Sequence, residues 1–276
     1  VNSFMWSRMI APIYPVYLYD LEGNVQLDSE GNKLFDYGTG FGRARSYGSN
    51  INPLGTINLD TRLYKNDVVG ARGSTEFSFL DDFTFTINAS MDYQGYLGLT
   101  HQNAAFGDAA PFDGRSTRTT QRQLTFSANQ LLRWNRSFGD HSFGVLLGHE
   151  SYSWKLNYLS GTRTGFPFPG LVELAAAATF EGLSSYEHNV RMESYLTNFN
   201  YDFANRYYLQ ASWRTDGSSR FHPDNRWGNF WSVGASWLMS QEEFLKDLLW
   251  LDNLSLRASY GSTGNDAVGY YAYLGL

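Results

Sequence analysis

The sequence predicts an all-β protein, an antiparallel transmembrane β-barrel segment of about eight strands with short periplasmic turns and long external loops. Three observations carry that prediction. Long segments alternate apolar and polar residues, so that one face of each strand is apolar and aromatic while the other carries amides, hydroxyls and charge. The connections between these segments alternate between tight and long, as they do when one side of a sheet faces the periplasm and the other the exterior. Aromatic residues make up 17% of the chain, which suits the girdles at both rims of a membrane barrel.

The first 65 residues stand apart and read as an external loop region with small hairpins; residues 66–276 read as barrel strands and loops. Within the first region, Asp20-Leu-Glu-Gly-Asn24 is echoed by Asp28-Ser-Glu-Gly-Asn32. Each Glu-Gly-Asn sits between apolar residues and reads as a tight turn, because Gly and Asn accept positive φ cheaply. The density of Asp, Glu and Asn between Asp20 and Asp36 invites a calcium reading, but the spacing of an EF-hand is missing. Gly38-Thr-Gly-Phe-Gly42 lacks the flanking strand and helix of a phosphate loop.

From residue 67 the strand rhythm sets in. Residues 67–79 place Val69, Ala71, Thr75, Phe77 and Phe79 opposite Arg72, Ser74, Glu76 and Ser78. After the turn Leu80-Asp81-Asp82, residues 83–94 alternate with little noise, with Phe85 and Ile87 on one face and Thr86 and Asn88 on the other. Residues 95–119 read as a long loop, 124–135 as a strand, Phe138-Gly139-Asp140 as a turn, and 141–159 as a strand whose phase slips near Ser151–Trp154, read as a bulge. Residues 160–188 read as a second long loop, 192–203 as a strand and Phe203-Ala204-Asn205 as a turn. The closing strands put Leu209, Trp213, Leu256 and Ala258 toward lipid, and Gln210, Arg214 and Arg257 toward the lumen. Between them, Ser240 and Glu243 form a capping box, and Phe244, Leu245 and Leu248 an apolar stripe, predicting a short amphipathic helix in residues 241–253.

Composition excludes several classes. Hydrophobic residues are 42% of the chain and mean hydropathy is −0.38, and the longest apolar run, Leu174–Ala178, is far short of the roughly 20 residues of a membrane helix. A formal charge of −6 argues against nucleic acid, and the absence of cysteine removes disulfide and thiolate chemistry.

Residues 200–265 carry a series of motifs: Asn200-Tyr-Asp202, Arg206-Tyr-Tyr-Leu209, Arg214-Thr-Asp-Gly-Ser-Ser-Arg-Phe221, Asn225-Arg-Trp-Gly228, Trp237, Phe244-Leu245 and Leu254-Ser-Leu-Arg-Ala-Ser-Tyr-Gly-Ser-Thr-Gly-Asn265. In this order they resemble the C-terminal half of the barrel of SusC/RagA-type TonB-linked outer-membrane transporters of Bacteroidetes. The resemblance implies a segment of a larger plugged barrel in the bacterial outer membrane that imports glycans or oligopeptides. It also implies a SusD-like surface lipoprotein as lid, a TonB complex reached through a segment without counterpart here, and a dimeric assembly. On this reading the chain is a piece of a longer polypeptide whose sheet edges meet further strands.

No catalytic arrangement is visible. The five histidines show no metal-ligand spacing, and no cofactor is implied. Asp216 and His222 could meet at one rim as an acid–base pair, but a loop hydrogen bond is the simpler use of both. Asp216–Phe221 could bind solute, or serve as a rim corner built on side-chain-to-backbone turn bonds. Arg72, Glu76, Asp92, Arg133, Arg214, Asp216, Arg220 and Arg257 are the candidates for the substrate path. Two other functional classes fit the residues, a passive porin or structural barrel and a secreted all-β sugar-binding or adhesion module.

Overall fold

The computed structural model describes residues 14–38, 45, 50–245, 248 and 250–275. One short helix, α1 (Pro53–Leu59), precedes eight strands: β1 (Thr61–Phe79), β2 (Phe83–Gln102), β3 (Arg115–Phe138), β4 (His141–Thr164), β5 (Thr179–Phe203), β6 (Tyr207–Ser218), β7 (Trp227–Leu238) and β8 (Ser255–Ser262). They form one sheet in sequence order, with β1 and β8 as its edges. This is an antiparallel meander, and the stacked sheets of a secreted sandwich are absent among the described residues. The chain divides into two compact units. One comprises residues 1–67, 95–121 and 157–186; the other comprises 68–94, 122–156 and 187–276.

The larger unit holds the alternating strands. Register pairs Leu209 with Ala235 and Ala235 with Ala258, and pairs Trp213 with Trp231, so these side chains share one face. That face is apolar and open: Trp213, Trp231 and Val233 are 43–45% exposed and Leu256 61%. A contiguous apolar surface of this extent is stable against lipid and not against water. Phe85 lies on the same face, in a shallow depression with Leu132, Leu147 and Trp213. At one end of the strands Phe79 stacks on Phe83 and Tyr207 on Trp237. At the other, Tyr195 stacks on Trp227. Phe203 and Tyr195 on β5 are about 26 Å apart along the strand, or roughly 20 Å in height after the usual tilt, close to the ~25 Å apolar band of a membrane barrel.

The three tight turns fall where the sequence puts them. Leu80, Asp81, Gly139, Ala204 and Asn205 all have positive φ, between 50° and 58°, the left-handed conformation that matches a two-residue turn to the twist of its strands. The long excursions are shorter than expected. Residues 95–102, 115–119, 160–164 and 179–188 belong to β2, β3, β4 and β5, leaving connections only at 103–114 and 165–178. Hydroxyl pairs hold these extensions together, Thr117 with Thr162 at 2.9 Å and Thr119 with Ser160 at 3.0 Å. The phase slip in β4 is not a bulge. Ser142 meets Ser137, His149 meets Gln130 and Ser160 meets Thr119, so each step on β4 is matched by one on β3. What changes at Tyr152 is which face is aromatic.

The expected helix at 241–253 overlaps residues 246, 247 and 249, which lie outside the described residues. Around them the chain makes a single 3-10 turn, Met239–Gln241, followed by hydrogen bonds spaced three residues apart. Glu242 is fixed by the Tyr207 hydroxyl, Trp237 Nε1 and Arg206.

The smaller unit contains most of the buried apolar side chains among the described residues: Tyr37, Leu99, Ala109, Phe166 and Ala177. Helix α1 has Asn52 as N-cap and Pro53 at its first position, a local start signal where a loop was expected. Asn52 Oδ1 accepts from the Leu54 and Gly55 N–H groups, both at 3.1 Å, while its Nδ2 donates to the carbonyls of Val16 (2.8 Å) and Asp36 (2.9 Å). The helix passes so close to the Tyr37 ring that a Cβ on Gly55 would lie 2.0 Å from the phenol oxygen. Asp20 and Asp28 head identical turns. Each Oδ1 accepts the N–H groups two and four residues on, and each Oδ2 accepts the Asn side chain. Both carboxyls are held below the usual range, chiefly by the backbone N–H of Asn24 and of Asn32 respectively. These turns use the oxygens that a cation would need, so the hairpin reading accounts for the segment.

Because one buried amide serves both the cap and two carbonyls, replacing Asn52 by Ala is expected to cost about 2–4 kcal/mol. Proteolysis of the segment 14–60 in the folded full-length protein should quicken accordingly, and Asn52→Asp, which keeps the cap but loses both donors, should fall between. Unchanged proteolysis in Asn52→Ala would show that the network does not hold this unit.

Candidate functional site

The polar face of the larger unit is built in rows across the strands. Asn200 pairs in register with Gln210, Gln210 with Gly234 and Gly234 with Ser259. One step along, Asp202 pairs with Tyr208, Tyr208 with Ser236 and Ser236 with Arg257. Ser212 hydrogen-bonds Ser232 across the next row at 2.6 Å. A cavity of about 750 Å³ opens on these rows, lined by Asn135, Gly144, Asn200, Gln210, Gly234 and Arg257 among others. Gly144 helps to leave that space: a Cβ there would approach the Asn135 carboxamide to 3.0 Å. A second hollow of about 640 Å³ is lined by Arg72, Ser74, Asn88, Asn129, Glu150 and Tyr152, with Asn88 donating to Asn129 at 2.8 Å. Amide and hydroxyl residues outnumber charged ones in both linings, so the polar part of the surface offers neutral donors and acceptors rather than a field of one sign.

The predicted path residues separate into three groups. Arg214 is central: it meets Glu150 at 2.7 Å and Asp216 at 2.5 Å, so Arg214 and Asp216 lie together with a third partner that sequence reasoning missed. Arg72 and Asp92 are also brought together, but at 4.0 Å and with the Arg72 side chain 81% exposed, which makes this a weak, screened pair. Among the described residues Glu76 reaches only the Thr86 hydroxyl, at 3.5 Å. Arg220 lines neither hollow; it pairs with Asp266 at 3.8 Å and donates to the Val268 carbonyl at 2.9 Å. Arg133 and Arg257 have no ion-pair partner among the described residues, and of the two Arg257 borders the 750 Å³ cavity.

The corner Asp216–Phe221 is held by two turn bonds to Ser218, from the Phe221 N–H to its carbonyl and from the Arg220 N–H to its hydroxyl, and by bonds to flanking segments. Ser218 N–H donates to the Arg226 carbonyl, Ser219 exchanges two bonds with Arg191, and Arg226 Nε reaches the Phe221 carbonyl. Asp216 and His222 do not form a pair, since Asp216 is bound by Arg214 and His222 lies 3.4 Å from Asp224. Among the described residues no group of three His, Asp or Glu side chains could hold a metal ion.

Beyond Glu150 the polar face turns aromatic. Trp154 of β4 stacks on Tyr270 at 5.5 Å, and His188 of β5 stacks on Tyr270 at 4.6 Å. The even-numbered run Tyr152, Trp154, Tyr158 carries this signal in the sequence. The glycines of the motif series are packed just as tightly. A Cβ on Gly264 would lie 2.2 Å from the Phe230 ring, and one on Gly228 would lie 2.8 Å from it. Gly264→Ala is therefore expected to reduce the fraction of full-length protein that runs as the heat-modifiable folded form. Phe230→Leu in the same chain should restore it, and failure of that rescue would remove the steric explanation.

No protein-family model matches the chain. It is 31% identical over 229 residues to "TonB-dependent receptor SusC" of Bacteroides thetaiotaomicron, covering 82% of this chain and 22% of the relative. It is also 31% identical over 268 residues to "TonB-dependent receptor P3" of Formosa agariphila, covering 93% and 24%. Among solved structures, that of the RagAB peptide transporter superposes with a TM-score of 0.77 at 23% identity, over 88% of this chain and 27% of the other. The chain thus spans about a quarter of the length of the proteins it matches. Residue motifs, the inside-out sheet and these relatives agree that the chain is a segment of the transmembrane barrel of a SusC/RagA-type TonB-linked protein of the bacterial outer membrane.

Proposed function

We propose that this segment walls the solute path of an active importer that takes up glycans or oligopeptides, drawing energy from a TonB complex and closed at the surface by a SusD-like lipoprotein. The observation that carries the reading is the hollowed polar face. Asn135, Asn200, Gln210 and Ser259 surround a cavity of about 750 Å³ with hydrogen-bonding groups, on a wall whose opposite face is apolar. The relatives named as TonB-dependent receptors supply the energetic half of the reading, and the likeness to a peptide transporter favours oligomeric solutes. Arg257 and Arg133 are the lumen-side cations left for anionic groups on a passing solute, while Arg214 is neutralised by its two carboxylates. Residues 1–65 and the connections at 103–114 and 165–178 are the external segments that would meet solute and lid, since binding tends to sit on loops held by a rigid scaffold. A dimeric assembly belongs to the same reading.

The test is uptake by cells carrying the full-length protein, with and without a working TonB system, in parallel arms fed oligosaccharides and oligopeptides. Uptake of one class should be lost without TonB, and equal uptake in both strains would favour the passive porin. Replacing residues 165–178 by a short turn should weaken solute capture, and unchanged capture would remove recognition from that connection. Arg257→Ala is expected to slow uptake of anionic solutes by about threefold to tenfold, as the loss of one lumen-facing charge implies, and to leave neutral ones unaffected.

A further inference from the structure

We propose that the segment after β8, residues 263–275, is a strap latched across the polar face, and that its release opens the solute path. The strap leaves the sheet at its β8 edge yet is anchored on β4, β5 and the β6–β7 corner. Tyr270 stacks on Trp154 and on His188. The Tyr271 hydroxyl accepts the Asn189 N–H at 3.1 Å, and Tyr273 meets His222 edge-on at 5.9 Å. Asp266 accepts from Ser218 Oγ at 3.3 Å.

Arg220 is the catch. Its Nη1 donates to the Val268 carbonyl at 2.9 Å and to that of Asp266 at 3.4 Å, and its guanidinium lies over the Tyr270 ring at 5.1 Å. One side chain thus holds three residues of the strap. Each of these contacts from the wall to the strap involves a side chain, and no ladder of backbone bonds joins them among the described residues. The strap can therefore leave without opening the sheet. It is also closed under tension: Tyr271 has φ of 56°, a left-handed conformation costly for a bulky residue, and Tyr270 remains 42% exposed despite its stacking. Tyr152, which lies within electrostatic reach of both Arg220 and Tyr270, marks the wall beneath.

The gating role rests on the transport reading, whereas the latch can be measured without transport. This segment has no cysteine; with any cysteines elsewhere in the full-length protein replaced by Ser, Tyr152→Cys reports access by its rate of modification with a small thiol reagent. Arg220→Ala and Tyr270→Ala, each checked for heat-modifiable folding, should raise that rate by about tenfold, the change expected when a cation–π and stacking contact is lost. Rates within about twofold of the parent in both variants would overturn the latch, given that magnitude. A second variant, Ser218→Cys with Asp266→Cys, should be bridged by a short bis-methanethiosulfonate, which joins the two thiols through disulfides and releases sulfinate, and failure to bridge it would likewise overturn the closed position. Uptake should fall when the bridge is made and return on reduction; uptake indifferent to the bridge would overturn the gate. Absence of uptake in the unbridged parent would instead count against the transport reading, and the labelling rates would still decide the latch.

Discussion

Inside a bilayer no water is present to bond an unpaired backbone N–H or C=O, and each one left open costs several kcal/mol. The rest of this structure follows from that constraint. It fixes strands as the spanning element where no segment is apolar enough for a helix, and it requires each strand to be paired on both sides. The in-step pairing from β1 to β8 satisfies the six inner strands within the chain. The two edges, β1 and β8, present unpaired groups on their outer sides among the described residues, so in lipid each requires a neighbouring strand. Side chains are then divided by environment rather than by burial: Trp213 and Trp231 are half-exposed because lipid surrounds them, and Gln210 and Ser259 face a polar hollow.

Once lipid has claimed one face, charge is confined to the other, where it must be balanced locally. Arg214 shows how: two carboxylates, from β4 and from its own strand, hold it in place. Such pairing keeps the wall nearly neutral and leaves a few separated cations, and a path of this kind discriminates by hydrogen bonding and size more than by net charge.

How much of this could be read from the residues follows from the range of each interaction. The period of two is local, so the faces of Phe85, Ile87, Leu209 and Arg257 and the turns at Asp81, Gly139 and Ala204 were legible. Strand length outside the membrane was not. There Thr117, Thr119, Ser160 and Thr162 are polar like loop residues, and only their cross-strand partners, some forty positions away in sequence, make them strand. The same distance hid Glu150 as the partner of Arg214, and it hid Tyr270 as the ring between Trp154 and His188. Helix α1 was missed for a different reason, since Asn52-Pro53 is a local signal that a loop reading of the region had set aside.

The small turns at Asp20 and Asp28 belong to a larger order. Leu18, Gln26 and Leu34 recur every eight residues, and each donates its N–H to the carbonyl of another, Leu18 to Leu34, Gln26 to Leu18 and Leu34 to Gln26. Three segments thus close into a ring of hydrogen bonds, and next along the chain Asp36 accepts the Gly38 N–H at 2.7 Å, as Asp20 and Asp28 accept the N–H two residues on. A closed ring fixes the number of its members, so a whole octapeptide could be neither added nor removed without breaking it. The tips at Leu21–Glu22 and Ser29–Glu30 take no part in the ring, so their side chains could change without disturbing the frame beneath.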